Sequence, residues 1–271
     1  MMRTVTRARR AVGALAAALL LAFAGPLAAP PPALAQAEAA DEDPLEDLNR
    51  AFYEFNRVLD GLLVKPAAMI YRGVVPEEGR DAVRNVLDNL NGPVILANDL
   101  MQGEWDRAGV TLERFAINTT FGVLGIFDAA KDHGLVKHDE DFGQTLAVWG
   151  VGGDPYLFLP ILGPSNPRDF TGLLVDSFII DPWGWIIRGD DYFESWFNWT
   201  RVGLEIVDRR ARNIEALDDI ERNQLDPYAF IRTAWRQRRA NDILNGRPSA
   251  RRAPVRPETA GAPPAPTWRG N

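Results

Sequence analysis

The residues in this chain best suited to chemistry are two histidines set among acids. They are His133 and His138 in KDHGLVKHDEDFG, followed at once by Asp139, Glu140 and Asp141. Imidazoles and carboxylates are the usual ligands of a metal and the usual partners in proton transfer. The spacing does not match HExxH, however, and the stretch reads as a solvated polar loop. Ser165, one of four serines, sits in LGPSNP without the flanking glycines of a nucleophile elbow. GVGGDP at 150–155 departs from the dinucleotide fingerprint, and there is no Walker sequence. The acids that precede proline, Asp43, Asp154, Asp181 and Asp226, are the types that cap helices and form turns. No catalytic residue, metal or cofactor is assigned from these patterns.

The elements that carry these residues read mainly as helices. In DPLEDLNRAFYEFNRVLDGLLV, Leu45, Leu48, Phe52, Phe55, Leu59 and Leu62 recur every three or four residues. They form one apolar helical face behind an Asp43-Pro44 start. A second helix is expected to begin near Pro76, to carry Ala82, Val83, Val86, Leu87 and Leu90, and to stop at Asn91-Gly92-Pro93. Two more follow, divided near Gly103. Leu204, Val207, Ala211, Ile214 and Leu217 predict a further helix, and DPYAFIRTAWRQRRANDILNG predicts another with a capped start and a glycine stop. Strand signals are sparse, so the fold class is mainly α: a single helical domain over 43–246 with an irregular Gly/Pro-rich apolar insert between about 121 and 190.

With 271 residues, 46% of them apolar, the chain is long enough for one sizeable domain. Arg3, Arg7, Arg9 and Arg10 precede the apolar run AVGALAAALLLAFAG, and Ala33-Leu34-Ala35 supplies an A-x-A cleavage site. Residues 1–35 are therefore expected to be a signal peptide rather than an uncleaved anchor, since the apolar run is short of the roughly 20 residues a spanning helix needs, and an acidic linker follows over 36–42. Cleavage would take the net charge from -7 to -11. The Pro/Arg-rich segment 247–271 carries five Arg against one Glu and is expected to be a disordered tail. That leaves a strongly acidic body, which argues against nucleic acid as a partner. The chain contains no cysteine, so neither disulfides nor a lipidated cysteine are expected.

Two features of the insert stand out for their apolar and aromatic content. VWGVGGDPYLFLPILGPSNPRD, 148–169, packs apolar side chains among glycines and prolines. Pro155, Pro160 and Pro164 disfavour a regular element there, leaving room for a small hairpin at most. An apolar loop of this kind faces lipid, a partner or the core. DPWGWIIRGDDYFESWFNWTRVG then gathers Trp183, Trp185, Trp196 and Trp199, half of the chain's eight tryptophans. They suit either an aromatic core or a membrane interface.

Taken together, five blocks in order resemble the VacJ/MlaA family of outer-membrane phospholipid-transport components over residues 43–246. They are DPLEDLNRAFYEFNRVLD, NVLDNLNGPVILANDLMQGE, RFAINTTFGVLGIFDAA, DFGQTLAVWGVGGDPYLFLPILGPSNPRD and DPYAFIRTAWRQRRANDILNG. The resemblance implies a ring-like helical body in the inner leaflet of the outer membrane, pierced by an amphipathic channel. It also implies association with a trimeric porin and delivery of phospholipid to a periplasmic carrier. On this reading the protein is exported, non-enzymatic and placed at the periplasmic face of the outer membrane. Asn118, Gly150, Gly152, Gly153, Tyr156, Phe158, Pro160 and Gly163 are candidates for the lipid channel, and Trp183, Trp185, Trp196 and Trp199 for the membrane interface. Family members commonly carry a lipidated cysteine, which this chain lacks, so it is expected not to be lipidated. The alternatives are a soluble periplasmic lipid-binding protein and a periplasmic hydrolase working through His133, His138 and Ser165.

Overall fold

A computed structural model describes residues 43–187 and 191–247. The expected signal peptide and linker, and the expected tail beyond Arg247, lie outside the described residues. Arg247 itself is paired with Glu104 at 2.7 Å.

The chain is mainly helical. α1 (Glu46–Leu59) runs through a π-turn (Asp60–Val64) into α2 (Lys65–Val74). α3 (Glu77–Gln102) and α4 (Trp105–Thr120) form a hairpin divided at Gly103, whose left-handed conformation (φ 76°) ends α3. The expected stop at 91–93 is absent, and α3 runs through Pro93. Gly92 explains why: it lies so close to Phe115 of α4 that an added Cβ would sit 3.0 Å from the ring. Packing against α4 thus holds the helix together where proline alone would end it.

The stretch 121–190, expected to be irregular, contains α5 (Ala129–Asp132), α6 (Phe142–Val148), α7 (Pro167–Val175), a π-turn (Asp176–Ile180) and α8 (Trp183–Ile186). Asp128, Asp141 and Asn166 cap the first three by accepting backbone amides. α6 and α7 touch through glycines: a Cβ on Gly172 would lie 2.2 Å from the Gly143 nitrogen. The apolar loop holds a two-stranded antiparallel hairpin, β1 (Leu157–Leu159) and β2 (Gly163–Ser165), with Leu157 opposite Ser165 and Phe158 opposite Pro164.

The helix expected to run past Ile214 is two helices, α9 (Asp191–Arg212) and α10 (Ile214–Asn223), parted at Asn213. α11 (Pro227–Ile243) closes the fold behind its Asp226 cap. α9 packs on α2 and α3, while α11 packs on α6 and β2. Arg210 binds Asp60 at 2.8 and 2.9 Å, and Lys65 binds Asp218 at 2.8 Å, so the π-turn and α2 are tied to α9 and α10.

Candidate lipid-facing site

Two asparagines on α1 position the apolar hairpin. Asn49 accepts the Phe158 amide at 2.7 Å and donates to the Tyr156 carbonyl at 3.1 Å. Two turns further along, Asn56 accepts the Ile161 amide at 2.7 Å and donates to the Leu159 carbonyl at 2.9 Å. Tyr53, between them on the same face, meets Phe158 edge-on with ring centroids 5.5 Å apart. Tyr156 packs on Trp235 and Tyr228; Tyr53, Tyr156, Phe158 and Tyr228 are buried, and Trp235 is half-buried at their edge.

The base of this cluster is charged. Asp43 accepts from Tyr228 Oη, from Asn49 Nδ2 at 3.0 Å and from the Leu45 amide at 3.2 Å. Burial pushes its carboxyl up, but these hydrogen bonds outweigh burial and hold it below the usual range. Arg50 grips Asp226 with two hydrogen bonds, at 2.5 and 3.1 Å, tying α1 to the start of α11. The Asp226 carboxyl falls to about 2, first through Arg50 and then through the Ala229 amide it caps.

The hairpin therefore divides its expected lining residues. Tyr156 and Phe158 are only 1% and 5% exposed, so they hold the loop from beneath. The outward surface is the tip, where Pro160, Ile161 and Leu162 are exposed. Ile161 adopts a left-handed backbone (φ 69°), a costly conformation for a β-branched residue and one that marks a site held in place by its surroundings. Gly163 (φ 80°) then turns the chain into β2. Gly150 follows α6, Gly152 is exposed, and Gly153 lies against the Asn166 and Arg168 side chains.

Asn118 is not part of the hairpin. Its Nδ2 donates to Asp128 at 3.0 Å and its Oδ1 accepts the Ala130 amide at 2.8 Å, so it braces the loop after α4. Near it, Asn89, Gly92, Arg114, Lys137 and His138 border a cleft of about 40 Å³ between α3 and α4. That is room for about one water and far too little for an acyl chain.

The tryptophans also divide. Trp183 is half-buried and donates Nε1–H to the Leu90 carbonyl at 2.7 Å, stapling α8 to α3. Trp185, Trp196 and Trp199 are exposed, and on α9 Tyr192, Trp196 and Trp199 fall on one stripe.

The groups suspected of catalysis are already engaged. Ser165 Oγ donates to the Asn166 carbonyl, and His133 Nδ1 meets the Ala129 carbonyl at 2.9 Å. His138 Nε2 lies within 3.1 Å of both Asp99 carboxylate oxygens and 3.0 Å from Thr111 Oγ1. The neighbouring acids turn to different partners: Glu140 to Arg107 and Gln102, and Asp141 to Arg239 and the α6 amides.

The apolar stripe of α1 divides: Phe52 packs against the aromatic core and Leu45 and Leu59 are half-buried, while the rest of it faces outward. Leu48, Phe55 and Leu62 are exposed, together with Val58, Leu63, Met69, Ile70 and Val74, while Asn49 and Tyr53 point inward. Asn49 and Asn56 recur seven residues apart along one edge of the stripe, a polar line beside the leucines that is visible in the sequence.

A helical body with apolar helix faces and apolar loop tips turned outward, held from within by asparagines and ion pairs, belongs to the class of proteins whose surface is covered by lipid or by a partner. The comparisons narrow this class. The family model described as MlaA lipoprotein matches residues 41–242, and the chain belongs to the MlaA family. It is 34% identical to the intermembrane phospholipid transport system lipoprotein MlaA of Haemophilus influenzae, covering 76% of this chain and 80% of that one. It is 35% identical to the Escherichia coli protein of the same name, covering 75% and 79%. An uncharacterised Rickettsia bellii protein is 34% identical over 74% of this chain and 76% of its own. A solved structure reported as the structural basis for maintenance of bacterial outer membrane lipid asymmetry superposes with a TM-score of 0.66 at 30% identity. It covers 74% of this chain and 99% of that one.

Proposed function

We propose that this protein is a non-enzymatic phospholipid conduit of the outer membrane. It removes phospholipid from the outer leaflet and passes it to a periplasmic carrier. The observation that carries this reading is the outward apolar hairpin tip, fixed on α1 by Asn56 and presented beside an exposed apolar helix face. Family membership agrees with it. Extracting a lipid into water would expose on the order of 30 methylenes at ~0.8 kcal/mol each, roughly 25 kcal/mol in all. A conduit lowers that barrier by keeping the tails on apolar surface while the head group follows a polar path. Direction comes from the carrier downstream.

The body lies ring-like in the inner leaflet, at the periplasmic face, beside a trimeric porin. With no cysteine to carry a thioether-linked lipid, attachment is assigned to the apolar surface of the body. Gly150, Gly152, Gly153, Pro160 and Gly163 shape the lipid path around the hairpin.

The test is complementation of a strain lacking the protein. Surface phosphatidylethanolamine is read with a membrane-impermeant amine reagent. Wild type restores low labelling; Pro160→Leu and Ile161→Asp accumulate to normal levels but leave labelling high. Low labelling in both variants would overturn the role given to the hairpin.

A further inference from the structure

The seven residues between α4 and α5, Phe121 to Phe127, are built unlike an ordinary surface loop. Their side chains are entirely apolar, and Phe121, Val123, Leu124 and Phe127 are exposed. Val123 (φ 53°) and Leu124 (φ 58°) are consecutive left-handed residues, a conformation that L side chains resist and a β-branched one most of all. Such a pair persists only where its surroundings over-determine it.

The surroundings here do so. Gly125 presses on α3, where an added Cβ would lie 2.5 Å from Asn89 Cβ; at Gly122 it would lie 2.2 Å from the Phe127 carbonyl oxygen. Asn85 of α3 donates to the Ile126 carbonyl at 3.2 Å. The amides of Phe121 and Gly122 bond to Ile117, that of Leu124 to Thr119 and that of Gly125 to Asn118. The Ile126 and Phe127 amides bond to Val123 and Gly122 within the loop. Six of the seven amides of the loop are thus bonded within the protein, which a loop facing water has no need of and a loop entering hydrocarbon requires. The apolar run ends abruptly: Asp128 pairs with Arg114 at 2.9 Å, and Lys131 and Asp132 are exposed just beyond.

We propose that residues 121–127 form a rigid apolar wedge whose tip, Val123 and Leu124, enters the hydrocarbon of a phospholipid monolayer, with Asp128 to Asp132 marking the water level. The proposal rests on the membrane reading above and adds to it a second apolar element, anchored on α3 and distinct from the hairpin on α1. Its fixed shape means that insertion costs little further ordering of the chain.

The absence of native cysteine makes the test direct. Leu124→Cys, Lys131→Cys and Leu62→Cys are made singly in the full chain, labelled with an environment-sensitive fluorophore and reconstituted into phosphatidylethanolamine–phosphatidylglycerol vesicles with or without brominated acyl chains. The expected result is a severalfold rise in emission from the Leu124→Cys label, quenched by the bromines, with the Lys131→Cys label unchanged. If the Leu62→Cys label is quenched and the Leu124→Cys label stays in water, the wedge is wrong and the membrane reading stands. If both stay in water, both fall. Emission that rises at position 124 without bromine quenching means shelter by protein, such as a second copy, and overturns the proposal. Leu124→Asp, at an exposed position, is expected to weaken vesicle binding about ten-fold or more.

Discussion

At the scale of residues, buried amides and carboxylates carry the construction. Asn49 satisfies two backbone groups of a buried strand, so Asn49→Ala leaves the Phe158 amide and the Tyr156 carbonyl without partners in a dry site. The expected cost is about 3 kcal/mol, read as a melting temperature roughly 5–10 °C lower in detergent. Asn56→Ala is expected to cost under about 1 kcal/mol, because water reaches the exposed tip and replaces the lost bonds. Asp176 opens a pH window. Its carboxylate accepts the Phe142 amide at 2.8 Å and Asn98 Nδ2 at 2.9 Å, yet burial pushes its pKa up to about 7 from an ordinary value of 3.8. The folded chain thus favours the protonated form. The stability this supplies is fully present below about pH 4 and is lost as pH rises through about 7. Burial also raises Glu140, which acts in the same direction. Melting temperature is expected to fall between pH 5 and 8, and to fall less in Asp176→Asn. Equal slopes in the two proteins would remove Asp176 as the source.

Elements show where local signals ruled and where packing overruled them. Helical periodicity located α1, which begins at Glu46 rather than at Asp43-Pro44, and the start of α3 after Pro76, and the Asp226 cap located the start of α11, because these are decided within a few residues. Pro93 and Gly92 read locally as a stop, but the contact of Gly92 with Phe115 lies between two helices and has no local signature. The prediction follows from that contact. Gly92→Leu is expected to push α3 from α4 and cost about 1–3 kcal/mol by overpacking. Pro93→Ala is expected to be neutral or stabilising, since it restores an amide donor inside the helix. Circular-dichroism melts of the two variants check the order. Composition singled out the apolar loop and left room for no more than a small hairpin; burial of Tyr156 and Phe158 depends on Tyr53 and Tyr228 arriving from distant parts of the chain. Periodicity likewise located the stripe on α1 without saying which way it faced.

At the scale of the whole molecule, that orientation becomes an energetic argument. Eight large apolar side chains of α1, α2 and the turn between them are exposed, from Leu48 to Val74. Transferring the exposed half of each from water to hydrocarbon is worth about 1 kcal/mol, so this one surface supplies roughly 8 kcal/mol. A single myristoyl chain, with a partition constant near 10⁴ M⁻¹, supplies about 5–6 kcal/mol. The α9 stripe and the two apolar loop tips add to the protein's side. None of this requires crossing the bilayer: among the described residues no helix is long and apolar enough to do so. The body is therefore expected to hold to the outer membrane through carbonate washing. A chain carrying Leu62→Asp, Leu63→Asp and Ile70→Asp, all at exposed positions, is expected to wash off while keeping its helical circular-dichroism spectrum. Release of the wild-type chain by carbonate would instead mean that attachment runs through a partner, and the soluble lipid-binding reading would then account better for the same apolar surface.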